Sequence, residues 1–135
     1  MGTSEMGTGE NVDLIRRGYE AFNAGDMDTL SGLFAEDAVW LAPGNGSLSG
    51  RKEGRDAILA YFRELGTRSE GQLKVTLQDI VDGEKYTVAL QHNQAENGGK
   101  SLDMDGVIAF QVRNGKITEG REFYVDTAQG DAFWG

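Results

Sequence analysis

Polar side chains able to exchange protons cluster near the C-terminal end of the sequence. Residues 115–126, GKITEGREFYVD, contain Arg121, Glu122 and Tyr124 within a run that is typical of a β-strand. A carboxylate that faces an apolar cavity has its pKa raised by desolvation, into a range that suits general acid or base catalysis. Glu122 is therefore a candidate catalytic residue if its side chain points into the protein rather than outward.

The orientation of Glu122 depends on the turn that precedes this strand. Asn114-Gly115 predicts a β-hairpin with a strand over 105–112, and side chains alternate between the two faces of a strand. A two-residue turn would direct Arg121 toward the inner face. A three-residue loop with a glycine bulge would instead direct Glu122 and Tyr124 toward it.

The single histidine of the sequence, His92, is a second candidate for proton transfer. It alternates in phase with Val88 and Leu90, on the more apolar side of a predicted strand, and this phase predicts that its side chain points into the same cavity. A histidine with a pKa near neutrality can exchange a proton with a carboxylic acid across a dry pocket. The alternative is a structural, hydrogen-bonded histidine near a strand end.

The order of the predicted elements indicates the α+β fold class. Apolar residues recur every three or four positions over 12–22, 27–34 and 57–65, which predicts three helices. A short strand over 37–42 lies between the second and third helices, and four alternating strands follow residue 72 as a meander. Helices packed on one face of a strongly bent antiparallel sheet leave a deep cavity between the two layers.

Length, composition and charge exclude several classes of function. The 135 residues predict one domain over 11–135, preceded by a disordered tail over 1–10. With no cysteine and one histidine, thiolate and multi-histidine metal sites are excluded, and we expect no cofactor. The net charge of −9 argues against nucleic acid and anionic membranes. No apolar run reaches the roughly 20 residues that span a bilayer, so the predicted location is cytoplasmic.

Three stretches of the sequence resemble the NTF2-like superfamily, and in particular its SnoaL-like proteins. They are residues 19–44, 54–62 and 112–126, which read YEAFNAGDMDTLSGLFAEDAVWLAPG, GRDAILAYF and VRNGKITEGREFYVD. The superfamily includes nuclear transport factor 2, ketosteroid isomerases, limonene epoxide hydrolases and SnoaL-like polyketide cyclases. The resemblance implies a cone, with three N-terminal helices packed in the concavity of a curved, mostly antiparallel sheet. It also implies a homodimer that buries the outer face of the sheet.

The resemblance argues against steroid-isomerase chemistry. The position that matches the aspartate base of the ketosteroid isomerases is Ala42. The positions that match the tyrosine and the protonated aspartate of their oxyanion hole are Gly18 and Gly106. Because base and oxyanion donors are both missing, we do not expect this reaction.

The same resemblance favours an inward Glu122. The GREFY segment matches the motif of the epoxide hydrolases, and Glu122 then occupies the place of their inward aspartate. This match implies the bulged three-residue loop, although hydrophobicity alone favours the opposite orientation of the strand. The earlier strand carries Gln91-His92-Asn93 where those enzymes need an arginine and a second aspartate, so their water-activating group is not reproduced.

The sequence therefore predicts a small cofactor-free enzyme of the SnoaL-like group. Glu122 and His92 would carry out acid/base chemistry, as in cyclisation or isomerisation, on a hydrophobic cyclic small molecule inside the cone. The alternatives are a non-catalytic binding protein for a small apolar metabolite and a module that recruits a partner protein through its sheet. The predicted ligand contacts are aromatic or apolar: Trp40, Tyr61, Met104, Phe110 and Tyr124.

Overall fold

The computed structural model describes residues 2–135, with side chains described from residue 9 onward. Within this range the helices are α1 (Gly2–Ala24), α2 (Met27–Leu33), α3 (Arg55–Arg68) and α4 (Thr127–Trp134). The strands are β1 (Phe34–Ala42), β2 (Gly50–Glu53), β3 (Lys74–Asp82), β4 (Thr87–Asn97), β5 (Lys100–Arg113) and β6 (Lys116–Tyr124). The predicted tail over 1–10 begins outside the described residues and falls mostly where side chains are not described, so it stays a prediction.

The six strands form one sheet in the order β2-β1-β6-β5-β4-β3. All neighbours are antiparallel except β1 and β6, which run parallel. The four C-terminal strands are the predicted meander, and β1 extends the sheet beyond its last strand. The α+β fold class is therefore confirmed, with a mostly antiparallel sheet.

The helices pack against the concave face of the sheet, where the apolar core lies. Helix α1 is fixed to β3 by Asn23, whose amide donates to the backbone oxygen of Val75 at 2.7 Å and accepts from its backbone nitrogen at 3.2 Å. Ile58 and Leu65 of α3 are buried in the same core as Ile15 of α1. The helical periodicity that predicted these elements reflects this common buried face.

One predicted boundary is wrong, and two short elements were not predicted. Phe34 begins β1 instead of ending α2. The glycine-rich segment after Pro43 contains the short edge strand β2. The C-terminal residues form α4, which begins at Asp126, whose carboxylate accepts from the backbone nitrogen of Gln129 at 3.1 Å. Short elements such as these have too few residues to show a period.

The C-terminal helix is hydrogen-bonded to the loop that follows β1. The Asp131 carboxylate accepts from the backbone nitrogen of Asn45 at 3.0 Å, and the backbone oxygen of Gly135 accepts from the backbone nitrogen of Ser47 at 2.8 Å. Both bonds fasten the loop after β1 to α4. Between residues 2 and 135, no helix is both long and apolar enough to cross a membrane, and the cytoplasmic location stays a prediction.

Candidate active site

The β5–β6 hairpin has a two-residue turn. Arg113 pairs with Lys116, and the backbone φ angles of Asn114 and Gly115 are +53° and +74°. Positive φ at both central positions defines the turn type that Asn-Gly favours in two-residue hairpins. The three-residue loop favoured from the resemblance is therefore wrong.

A β-bulge at Thr118 then reverses the alternation of the strand. Val112 pairs with Ile117, whereas Gln111 pairs with Glu119, so Thr118 is the additional residue. Its hydroxyl donates to the backbone oxygen of Gln111 at 3.2 Å, which ties the bulge to the neighbouring strand. Beyond the bulge the phase is the one expected from the three-residue loop, and Glu122 pairs with Ile108 on the inner face.

Trp40 reaches Glu122 because strand β6 carries no side chain at Gly120. Strand β1 runs parallel to β6, with Trp40 paired to Gly120. A Cβ atom at Gly120 would lie 3.0 Å from the indole Cδ2 and closer still to Cε3 and Cζ3. The glycine therefore lets the buried indole lie flat against β6, beside the side chain of Glu122.

Two neutral donors hold the Glu122 carboxylate at one oxygen. The Trp40 Nε1–H donates to Glu122 Oε1 at 3.1 Å, and the Tyr61 hydroxyl of α3 donates to the same atom at 3.0 Å. The Lys52 ammonium lies 5.3 Å from the centre of the Tyr61 ring. Because both bonds go to Oε1, the orientation of the carboxylate is fixed while Oε2 can still exchange a proton.

Burial raises the pKa of Glu122 above its ordinary value, and the hydrogen bonds from Trp40 and Tyr61 offset part of this rise. The pKa values of Tyr19, Tyr61 and Tyr124 are also raised, first by burial and then by the charge of Glu122. These three hydroxyls consequently stay protonated and act as neutral donors. Glu122 is the carboxylic acid among these groups, and its raised pKa makes it the candidate for proton transfer.

Glu122 lies on the wall of a cavity between the helices and the sheet. The volume open to the centre of a water molecule is about 70 Å³. One buried water needs roughly 10–15 Å³ of such space, so the cavity can hold about five waters or a ligand of one or two rings. Most lining residues are apolar, and the polar ones are Tyr19, Gln91, Asn93, Glu122 and Tyr124.

A chain of three buried polar groups forms a second polar feature of the cavity wall. The Tyr19 hydroxyl donates to Gln91 Oε1, and Gln91 Nε2 donates to Asn93 Oδ1 at 2.8 Å. Asn93 is 4% exposed, and among the described residues its Nδ2 has no hydrogen-bond partner. Tyr19 was predicted only as part of the first helix, and Gln91 and Asn93 had no predicted role in the site. The available signal was the spacing of Gln91 and Asn93, which are two residues apart and therefore lie on the same face of a strand.

The predicted inward orientation of His92 is wrong. On β4 the buried side chains are those in phase with Gln91 and Asn93, while His92 lies on the outer face with Leu90. Both imidazole nitrogens contact carboxylates, Nδ1 with Asp105 at 2.7 Å and Nε2 with Asp103 at 2.5 Å. The physical reason is that the inward positions of this strand carry the two amides that line the cavity, while the apolar residues in phase with His92 lie on the partly exposed outer face.

The predicted ligand contacts divide into two groups. Trp40, Phe110 and Tyr124 line the cavity, and their role in binding stays a prediction. Tyr61 lies behind the wall and reaches the site through its hydroxyl bond to Glu122. Met104 is buried outside the lining, next to α4.

Within the part of the chain that the structure describes, no cluster of three acidic or histidine side chains is placed to hold a metal ion. The outward His92 group contains two carboxylates and one imidazole, and each imidazole nitrogen contacts one of the carboxylates. The polar groups of the cavity are one carboxylate, two amides and tyrosine hydroxyls. This set is suited to proton transfer and hydrogen bonding.

Comparison with known proteins identifies a family and a fold. The sequence model of the SnoaL-like domain matches residues 15–120. A protein of Mycobacterium tuberculosis strain H37Rv with no characterised function is 35% identical over 125 residues, which cover 92% of this chain and 95% of the relative. Bal32a, from a soil-derived mobile gene cassette, superposes with a TM-score of 0.92 at 39% identity, covering 95% of this chain and 98% of that one.

A proposed polyketide cyclase from Xanthomonas campestris superposes with a TM-score of 0.69 at 25% identity, over 95% of this chain and 98% of that one. NTF2-like proteins of unknown function are also among the structures that superpose. These matches confirm the resemblance found in the sequence and the NTF2-like cone that it implies.

Proposed function

This chain belongs to the SnoaL-like domain family, and from that premise we propose that it is a small enzyme that carries out acid/base chemistry on a hydrophobic cyclic molecule. The reaction is a cyclisation or an isomerisation inside the cone, and Glu122 moves the proton. Both reactions take a proton from one atom of the substrate and deliver one to another. A single carboxyl group can perform both transfers.

The observation that carries this proposal is the setting of the Glu122 carboxylate. It lies on the wall of a largely apolar cavity, and Trp40 and Tyr61 hold it by one oxygen. Burial raises its pKa above the ordinary value, and a carboxylate with a raised pKa is a stronger general base. The family name of the domain and the polyketide-cyclase relative agree with a reaction of this class.

Exchange of a carbon-bound proton tests the proposal directly. A small cyclic ketone, 1-indanone, carries exchangeable hydrogens next to its carbonyl group and is of a size that suits the cavity. In D2O, we expect the protein to accelerate deuterium incorporation at this carbon, as followed by NMR. Glu122→Gln should reduce the acceleration by about 100-fold or more, because positioned proton transfer contributes on that order.

Glu119→Gln is the matched control. Glu119 lies on the same strand but on the outer face, where it pairs with Arg121. This variant loses the same charge and should keep the exchange rate of the wild type. Equal exchange in the wild type and in Glu122→Gln would contradict the role of Glu122.

The alternative is a non-catalytic binding protein for a small apolar metabolite. It is favoured by one observation, that Glu122 Oε1 already accepts two internal hydrogen bonds and so has a structural role in joining α3 to the sheet. Under this alternative the wild type binds 1-indanone without accelerating its exchange, and Glu122→Gln binds it with unchanged affinity. Measuring binding and exchange on the same two proteins separates the two functions.

A further inference from the structure

The chain formed by Tyr19, Gln91 and Asn93 leaves one donor unused. Tyr19 donates to Gln91, Gln91 donates to Asn93, and Asn93 Nδ2 then has no partner among the described residues although the side chain is 4% exposed. All three residues line the cavity. A buried amide N–H without a protein partner is uncommon in folded proteins, and this one is available to an acceptor in the cavity.

The surplus of donors does not depend on which way the two amides are turned. If both are reversed, Asn93 Nδ2 donates to Gln91 Oε1, and Gln91 Nε2 donates to the oxygen of Tyr19. The free donor is then the Tyr19 hydroxyl, at the other end of the same chain. In either arrangement the chain offers a neutral N–H or O–H to the cavity, so it recognises an acceptor oxygen.

The hydrogen-bonded chain and the carboxylate are both connected to residues that pack against one aromatic ring. The centre of the Phe110 ring is 6.4 Å from that of Tyr19 and 5.9 Å from that of Trp40, which donates to Glu122. The charge of Glu122 also contributes to the raised pKa of Tyr19. A flat ligand that packs against Phe110 is therefore close to both the neutral donor chain and the carboxylate.

We infer that the Tyr19–Gln91–Asn93 chain binds the carbonyl oxygen of the substrate, which is an uncharged cyclic ketone with hydrogen on the carbon next to the carbonyl. The proton-transfer step of this inference rests on the proposed function. The contact with the carbonyl oxygen rests separately on the hydrogen bonds of Tyr19, Gln91 and Asn93. Anionic substrates are disfavoured, because a second negative charge near Glu122 is repelled strongly in an apolar cavity.

The corresponding step is an enolisation. The C–H bond next to the carbonyl breaks, and its proton moves to the Glu122 carboxylate. The electron pair of that bond forms the C=C bond of the enolate, and the carbonyl π pair moves to the oxygen. The free donor of the chain strengthens its hydrogen bond as this oxygen gains charge. Return of the proton to carbon restores Glu122.

Binding of a matched pair of compounds tests the inference independently of catalysis. 1-Indanone and indane have the same rings and differ at the carbonyl oxygen. We expect the wild type to bind 1-indanone about fivefold more tightly, the value of one hydrogen bond to a neutral group. Asn93→Leu should remove this preference and leave the affinity for indane unchanged or higher. Titrations followed by ligand NMR give both dissociation constants.

Gln94→Leu is the matched control, because it replaces the neighbouring amide on the exposed face of the same strand and should keep the preference. A second measurement needs no variant at the site: in 15N-labelled wild type, the side-chain amide signals of Asn93 should shift with 1-indanone and not with indane. The inference is overturned if the wild type shows no preference for the ketone, including no detectable binding of either compound. It is equally overturned if Asn93→Leu keeps the preference.

The two failures can be told apart. If the ketone preference depends on Asn93 but Glu122→Gln still accelerates exchange, the proposed function fails and the carbonyl site stands. If exchange depends on Glu122 but the wild type binds indane as tightly as 1-indanone, the carbonyl site fails and the role of Glu122 stands.

Discussion

The indole of Trp40 lies flat against the backbone of Gly120, and this contact positions the Nε1–H that donates to Glu122 at 3.1 Å. The two residues are partners in the single parallel pair of strands within the described sheet, β1 and β6. Gly120 has an unremarkable backbone conformation, so the glycine is required by the close approach of the ring. The geometry of the carboxylate thus depends on a residue with no polar side chain.

Gly120→Ala should destabilise the protein and loosen the hold on Glu122. The added methyl group overlaps the Trp40 ring, and overpacking of this kind costs about 1–3 kcal/mol. The displaced indole also loses its bond to the carboxylate. Urea denaturation measures the free energy of unfolding, and near-ultraviolet circular dichroism reports the altered packing of Trp40.

Gly66→Ala is the control for this variant. Gly66 lies within α3 with nothing within 4 Å of an added Cβ, so alanine should be neutral or stabilise by up to about 1 kcal/mol. Equal stabilities of the Gly120→Ala variant and the wild type would show that the ring does not depend on this contact.

Glu122→Gln should change how stability depends on pH. Because burial raises the pKa of Glu122 in the folded state, its protonated form contributes stability below the ordinary pKa near 4.5. That contribution is lost as pH rises through the folded-state value. The amide stays neutral and can still accept from Trp40 and Tyr61. Relative to the wild type, the variant should therefore be more stable at pH 8 than at pH 4.

Urea midpoints at both pH values, for the wild type, Glu122→Gln and the outer-face control Glu119→Gln, measure this difference. The prediction concerns the change between the two pH values, which does not depend on any constant cost of the substitution. A relative stability of Glu122→Gln that falls between pH 4 and pH 8 would be opposite to the expected sign.

The strand that carries Glu122 shows how far the sequence predicts the site. Asn114-Gly115 correctly predicts a hairpin, and a two-residue turn alone would place Arg121 inside. The bulge at Thr118 reverses this result, and nothing in the residues Ile117 to Glu119 distinguishes it from a regular strand. Bulges are stabilised by neighbouring strands, here by the hydrogen bond to Gln111, so their position depends on tertiary structure.

On strand β4, the inward and outward faces were exchanged in the prediction. Alternation was read correctly, but the apolar side was assigned to the interior, which placed His92 in the cavity and left Gln91 outside it. In this fold the inner face of β4 carries two amides that line the cavity, and the outer face of the sheet is partly apolar. Hydrophobicity therefore does not identify the inner face of this strand. The buried faces of helices α1 and α3 were predicted well because each helix has one continuous apolar stripe.

The outward His92 should titrate above its ordinary pKa. Its hydrogen bonds to Asp105 and then to Asp103 stabilise the protonated imidazole and raise the pKa above 6.5. The stability that this group contributes is present below about pH 6.5 and is lost as pH rises through the folded-state value. Because the sequence contains one histidine, a single ring signal in a 1H NMR titration reports its pKa.

Asp105→Asn should lower the midpoint of this titration, since Asp105 is the largest cause of the rise. Asp37→Asn removes a carboxylate on the distant strand β1 and should leave the midpoint unchanged. A wild-type midpoint at or below 6.5 would contradict the ion-pair arrangement. His92→Gln should also leave deuterium exchange unchanged, because the side chain faces away from the cavity.

The outer face of the sheet carries the apolar residues expected of a homodimer interface. Leu90, Val107 and Phe123 are paired in one row across β4, β5 and β6. Phe123 is 55% exposed and Val125, just beyond the same strand, is 74% exposed. Contiguous apolar exposure of this kind marks interaction surfaces, and a second copy of the chain presents the same surface, as the symmetry of a two-fold dimer requires.

We therefore expect the protein to sediment as a dimer at micromolar concentrations, and Phe123→Asp to sediment as a monomer. The new carboxylates would face each other across the two-fold interface, and their desolvation and repulsion oppose association. Ala60→Asp adds the same charge to an exposed position of α3 and should remain dimeric. If the wild type sediments as a 14.6 kDa monomer, the outer face is not a dimer interface. The exposed Phe123 and Val125 would then be expected to contact a different protein. If Ala60→Asp dissociates as well, the effect is one of charge in general, since an interface specific to the sheet would respond only to the substitution at Phe123.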